Sequence, residues 1–213
     1  MQSSTKKQFM TICGKPMLYY SIDAFSKSQV DQIIVVTSAE DMEYVATQIV
    51  EKYSFDKVTD IVVGGSERYE SVMNGLTQVE GDYVLIHDGA RPMLTQPIIN
   101  SCIEGAMAHK ACVAGVPVKD TIKEVAQDKS VVSTPDRSKL YITQTPQAFE
   151  TSLIKQAYAQ LQEDGNTNVT DDAMVVENYT DTKVYFVESD YRNIKVTTPE
   201  DIGIAELFIG QNH

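Results

Sequence analysis

The chain has 213 residues with 42% hydrophobic and 23% charged side chains, and its 18 basic and 30 acidic groups give a formal net charge of -12. That balance excludes a general nucleic-acid or anionic-membrane binder, because phosphate backbones and anionic lipids attract basic surfaces; it still permits an anionic small substrate held by a few local cations. No apolar run approaches the roughly 20 residues that span a bilayer, the opening MQSSTKKQFM has no apolar signal core, and Cys13, Cys102 and Cys112 lack the spacing of zinc or redox pairs, so a soluble cytoplasmic protein with buried, reduced cysteines is expected.

Ile33 to Thr37 is apolar on both faces and predicts a fully buried strand, followed by a helix over about 40–53. Residues 60–63 form a second predicted strand, stopped by Gly64-Gly65, with a helix over about 66–79 and a third strand at 83–86. Pro97 opens a helix to about His109, at a first-turn position where its missing N–H costs little, and a strand covers Ala111 to Val118. This alternation predicts an α/β fold: a Rossmann-like, mostly parallel sheet with helices on both faces. Ligands of such sheets bind beyond the carboxyl ends of the strands, which singles out 64–68, 87–92 and 117–121.

From Asp120 to Tyr141 the alternation breaks. Thr121 to Val125 and Ser130 to Thr134 predict a projecting β-hairpin arm, marginal alone and therefore packed against a second subunit. Helices resume at about 150–163 and 171–178, Lys183 to Val187 is a strand, and Thr198-Pro199-Glu200-Asp201 starts the last helix. One domain over 1–213, with a dimerisation arm at about 120–141, is the expected organisation.

Several segments carry candidate chemistry. Gly64-Gly65-Ser66-Glu67-Arg68 lies between strand and helix, where adjacent glycines let a ligand approach the backbone and helix N–H groups favour electron-rich atoms, with Ser71 one turn on; a plain tight turn is the alternative. His87-Asp88-Gly89-Ala90-Arg91-Pro92 follows a buried strand directly, and charges there are costly unless paired or used. Asp88 suits a sugar hydroxyl or divalent metal and Arg91 a phosphate, or the two form a structural pair; His87 reads as a packed histidine. Thr143 to Phe149 joins the arm to a helix and offers uncharged donors and acceptors, Thr170-Asp171-Asp172 reads as an N-cap with helix-favouring acids, and Asn193 to Thr197 places Lys195 in an apolar strand.

In this order and spacing the segments resemble the 2-C-methyl-D-erythritol 4-phosphate cytidylyltransferases. The resemblance runs through Lys7-Gln8-Phe9, Gly14-Lys15-Pro16, Gly64 to Arg68 with Ser71-Val72, His87 to Pro92, Pro117 to Thr121, Gln144-Thr145-Pro146-Gln147, Thr170 to Ala173 and Asn193 to Thr197. It implies a nucleotide-diphospho-sugar transferase-like fold and transfer of CMP from CTP to methylerythritol phosphate. It also implies Mg2+ held mainly by the CTP phosphates, no dedicated protein metal ligands, and a homodimer. By resemblance, Lys7 stabilises the transition state, and Lys195 and Arg137 hold the attacking phosphate. Gly64, Gly65, Ser66, Ser71, Asp88 and Gly89 bind the nucleotide, while Asp88, Arg91, Thr121, Thr145 and Thr170 surround the sugar alcohol, some of them from the neighbouring subunit.

One departure stands out: the family opens with a strand and a glycine-rich loop ending in Arg-Met, which the sequence from Met1 does not contain. Two rival readings accompany this one. A ribitol-5-phosphate cytidylyltransferase shares the Lys-Gln-Phe and Gln-Thr-Pro-Gln segments, although Ser66-Glu67-Arg68 and Asp88-Gly89-Ala90-Arg91-Pro92 favour methylerythritol. A non-catalytic nucleotide-binding protein is the reading that the departure invites.

Overall fold

The computed structural model describes residues 9–165 and 168–210. A short antiparallel pair, β1 (Thr11–Ile12) and β2 (Lys15–Pro16), leads into α1 (Met17–Ser26). β3 (Ile33–Thr37) is followed by a helical stretch that begins as a 3-10 turn, Ala39–Asp41, and passes through α2 (Met42–Tyr44) into a π-helix, Val45–Glu51. Then come β4 (Val58–Val63), α3 (Arg68–Leu76), β5 (Tyr83–Ile86), α4 (Gln96–His109) and β6 (Ala111–Pro117). The hairpin β7 (Glu124–Val125) and β8 (Val131–Ser133) precedes β9 (Tyr141–Glu150), α5 (Thr151–Asp164), α6 (Asp172–Tyr179), β10 (Tyr185–Glu188) and α7 (Pro199–Gly210).

The main sheet has the order β10-β6-β9-β5, and β3 and β4 form a separate parallel pair. β10 runs parallel to β6, whereas β9 is antiparallel to both β6 and β5, so β5, β6 and β10 share one direction. Successive strand residues face opposite sides, and two cores result. Cys112, Ala114 and Ala148 pack with Phe25 of α1 and with Ile98, Ile99, Cys102 and Ala106 of α4. Ala111 and Phe149 pack with Leu76 of α3, with Ile154, Tyr158 and Leu161 of α5, and with Val175 and Val176 of α6. Helices therefore cover both faces, as the alternation predicts.

Three expectations need correction. Residues 143–149 do not merely link arm to helix: they belong to β9, one of the two inner strands, which pairs with β6 and β5. Residues 193–197 are not a strand; the segment is irregular and is tied by the Val196 N–H donating to the Ala90 carbonyl at 2.8 Å. Cys13 is exposed, while Cys102 and Cys112 are buried free thiols. No helix among the described residues is long and apolar enough to cross a membrane.

Candidate active site

Three segments converge at the carboxyl ends of β4 and β5: the turn 64–67, the loop 87–92 and the irregular stretch 193–197. Asp88 is at their meeting point. Its Oδ1 accepts from Arg68 Nε at 3.3 Å, its Oδ2 lies 2.9 Å from Lys195 Nζ, and Arg91 Nε stands 3.9 Å from Oδ2. Burial pushes the Asp88 carboxyl up, but the Lys195 hydrogen bond and the charges of Arg68, Lys195 and Arg91 prevail and hold it below its ordinary range.

Arg68 is itself gripped from behind. Its Nη1 and Nη2 donate to the two oxygens of Asp172 at 2.9 and 2.7 Å, a forked pair, and the Tyr158 hydroxyl donates to the same carboxylate at 2.6 Å. Asp172 is fully buried, in the first turn of α6. Burial alone lowers the Arg68 guanidinium's pKa; the Asp172 hydrogen bonds and charge outweigh it and raise the value. Three cations thus face two carboxylates and leave one positive charge in surplus, inside a protein of net charge -12.

Arg91 donates through Nη1 to the Asn193 carbonyl at 2.7 Å, which joins the loop to the irregular stretch. Its Nε is buried without a hydrogen-bond acceptor among the described residues. Burial pushes the Arg91 guanidinium down from its ordinary value despite Asp88 nearby. The lining therefore combines a half-exposed ammonium, a buried guanidinium with an unused donor, and a carboxylate already balanced by cations. Such a set attracts a phosphate. Both Asp88 oxygens face cations, so Asp88 is not placed as a metal ligand, and no group of three His, Cys, Asp or Glu side chains comes together among the described residues.

Behind this cluster the polar residues of β9 act as scaffolding. The Thr145 hydroxyl accepts from the Asp88 N–H at 3.1 Å and lies 3.0 Å from His87 Nδ1, while His87 Nε2 is 3.2 Å from the Arg91 carbonyl. The carbonyl requires a donor, so Nε2 carries the proton and Nδ1 accepts from Thr145. Burial drives the His87 pKa down from 6.5 to about 4, which keeps the ring neutral. Gln147 accepts from the Ala173 N–H and donates to Asp171, whose other oxygen caps α6 through the Met174 N–H. The cap is Asp171, not Thr170.

The paired glycines are required by close approach. A Cβ on Gly64 would meet Ser71 Oγ at 2.8 Å, and one on Gly65 would meet Glu70 Cβ at 2.2 Å. What approaches this backbone is the chain's own α3: Gly65 N–H donates to Ser71 Oγ at 3.1 Å, and the Ser66 N–H and hydroxyl donate to Glu70 Oε2, each at 2.7 Å. The expected open N–H groups at 65 and 66 are thus engaged internally.

Of the sequence-predicted residues, Asp88, Arg91 and Lys195 are brought together, with Gly89 inside the same loop, Gly64, Gly65 and Ser66 on the adjoining turn and Ser71 in the first half of α3. Thr145 is present but buried, its hydroxyl committed to His87 and Asp88. Thr170 is exposed beside α6, directed at Met174 Sδ. Thr121 and Arg137 belong to the exposed arm, where Arg137 donates to the Lys119 carbonyl. They make no contact with the Asp88 cluster of their own chain among the described residues. Lys7 lies outside the described residues. Sequence reasoning missed Arg68, Asp172 and Tyr158 as site members, although an aspartate beside the apolar run Ala173 to Val176 was a readable sign of a buried, paired charge.

Residues 1–211 match the 2-C-methyl-D-erythritol 4-phosphate cytidylyltransferase family. The chain is 47% identical over 213 residues to the 2-C-methyl-D-erythritol 4-phosphate cytidylyltransferase of Lachnoclostridium phytofermentans, covering 100% of this chain and 91% of that one. Its counterpart in Lachnospira eligens is 50% identical over 212 residues, 98% and 93% of the two chains. Among solved structures, the 4-diphosphocytidyl-2C-methyl-D-erythritol synthase of Anaerococcus prevotii superposes with a TM-score of 0.87 at 32% identity, over 96% of this chain and 90% of that one.

Proposed function

The chain belongs to the 2-C-methyl-D-erythritol 4-phosphate cytidylyltransferase family, and on that premise we propose which of its residues act, and how. The enzyme transfers CMP from CTP to 2-C-methyl-D-erythritol 4-phosphate, giving 4-diphosphocytidyl-2-C-methyl-D-erythritol and pyrophosphate. A phosphate oxygen of the sugar alcohol attacks the α-phosphorus of CTP. The bond from that phosphorus to the bridging oxygen breaks, and its electron pair leaves with pyrophosphate. Such transfer depends on positioning and on neutralising charge.

Lys195 and Arg91 would hold the attacking phosphate; the single observation that carries this reading is their convergence, with surplus positive charge, on Asp88. Arg91 Nε has a donor to give, and Lys195, paired with Asp88 at 2.9 Å, is half-exposed on an irregular segment. The turn 64–66, Ser71 and the loop from Asp88 to Gly89 would receive the base and ribose, with Thr145 acting from behind. The family resemblance adds Lys7 at the α-phosphorus. Mg2+, held mainly by the CTP phosphates as the family resemblance implies, would supply further charge neutralisation. Cytoplasmic location fits the free thiols of Cys102 and Cys112.

Homodimerisation is part of the proposal. Val131 and Val132 on the arm are 60% and 61% exposed, with Ile122, Val125, Tyr141 and Ile142 exposed around them. That apolar surface suits a second copy, and the arm would carry Thr121 and Arg137 to the partner's phosphate. Mixing an Arg137→Ala variant with a Lys195→Ala variant tests this in the full-length enzyme. Shared sites predict that activity reappears on subunit exchange, because one site of each mixed dimer is intact. No recovery after verified exchange would mean that each site is built within one chain. Assaying ribitol 5-phosphate beside methylerythritol phosphate tests the substrate assignment.

A further inference from the structure

Arg68 hydrogen-bonds one oxygen of Asp88 and Lys195 the other, with Arg91 farther off at 3.9 Å, and the two near cations differ in kind. Lys195, on Oδ2, is half-exposed and extends from an irregular segment. Arg68, on Oδ1, is fixed at its far side by two hydrogen bonds to Asp172, a carboxylate with no exposure that Tyr158 of α5 also holds. One partner is able to leave and the other is clamped.

We propose that Arg68 is a positioning residue, clamped by Asp172 and Tyr158, that keeps Asp88 paired so that Lys195 is released from Asp88 to the substrate phosphate. This rests on the reading above, in which Lys195 binds that phosphate. The reason is electrostatic. Asp88 is largely buried, and with Lys195 and Arg68 both gone it would keep only Arg91, whose Nε stands 3.9 Å away without a hydrogen bond, leaving its charge poorly compensated in a low-dielectric setting. Without Arg68, Asp88 would hold Lys195 back, and phosphate would have to compete with a carboxylate for it. With Arg68 in place the exchange leaves every charge paired. The groups that face Asp88 are Arg68 from α3, Arg91 from its own loop, Lys195 from the 193–197 stretch and the neutral His87 beside it. Those that face Arg68 from the other side are Asp172 of α6 and Tyr158 of α5.

Arg68→Lys is the informative variant, because an ammonium is a point charge that cannot fork onto Asp172 while also reaching Asp88. It keeps the buried Asp172 compensated and gives up Asp88. The expected result is a rise of about 10-fold or more in KM for methylerythritol phosphate, the scale of one charge-assisted hydrogen bond, with a smaller change in KM for CTP. Tyr158→Phe removes one support and no charge, and should shift the same KM in the same direction by roughly 2- to 5-fold. The distinguishing measurement is the double variant Arg68→Lys with Asp88→Asn. If Asp88 traps Lys195, neutralising it should bring KM for methylerythritol phosphate back by about 3-fold or more relative to Arg68→Lys alone, a non-additive rescue. A merely structural Arg68 gives no rescue, and equal or worse KM in the double variant overturns the proposal. Pyrophosphate release by the full-length wild type separates the two readings. None with CTP and methylerythritol phosphate would sink the proposed function, whereas an active wild type without the KM split or the rescue would sink only the role of Arg68.

Discussion

Acidification should weaken the fold through His87 before it touches the carboxylates. The ring is buried, neutral, and pinned between the Thr145 hydroxyl and the Arg91 carbonyl, with its pKa down from 6.5 to about 4. In the unfolded chain it regains a proton near pH 6.5, while the folded chain refuses that proton until about 4. Above the unfolded value the two states bind equally and nothing is lost. Below it the unfolded state binds more protons, so stability falls as pH falls through this window. The full separation corresponds to about 3 kcal/mol, of which about 2 kcal/mol is lost by pH 5. Asp88, held below its ordinary value, contributes its own loss only at lower pH. Urea unfolding of wild type and His87→Gln at pH 7 and pH 5 isolates the effect. The wild type should lose about 2 kcal/mol more than the variant across that interval. Equal slopes would show that the ring is not held neutral, and the tautomer assigned through Thr145 would fall with it.

Gly65→Ala should raise KM for CTP by about 10-fold, because a Cβ placed 2.2 Å from Glu70 Cβ forces the turn apart; unchanged KM in steady-state assays would remove this turn from the nucleotide site. Val131→Glu should favour monomers of 23.7 kDa, since a charge on that exposed apolar strand opposes burial against a second copy; a dimer persisting in sedimentation would place the interface elsewhere. UTP should be used at least about 10²-fold less efficiently than CTP if hydrogen-bonding groups read the base edge, and comparable kcat/KM would refute that.

The strands 33–37 and 83–86 and the helix after Thr95 were legible because apolar runs and a first-turn proline act locally. β9 was not. Gln144, Thr145 and Gln147 look like loop or cap residues, yet they are buried in the sheet because Asn193, His87, Asp171 and Ala173 satisfy them from distant parts of the chain. The opposite error befell 193–197, whose apolar Ile194 and Val196 suggest a strand but pack around the N-terminal pair and α7. Asp88, Arg91 and Lys195 were readable as charges next to apolar segments. The clamp behind them was not, because Arg68 meets Asp172 across 104 positions and no local pattern announces that contact.

β9 is exposed over Tyr141 to Thr143 and buried from Gln144 to Gln147 and on to Phe149, so one uninterrupted backbone passes from the arm's root to the wall behind Asp88. Its amides should therefore exchange with solvent in two classes. Those from Gln147 to Phe149, buried and paired on both sides, should exchange only with global opening, and those from Tyr141 to Thr143, exposed and paired only with β6, should exchange by local fraying. A body docking on the arm would slow the fast class first, and would stiffen the stretch only a step from the hydroxyl that supports Asp88. Amide exchange along this one strand thus offers a direct reading of how firmly assembly is coupled to the order of the reaction centre.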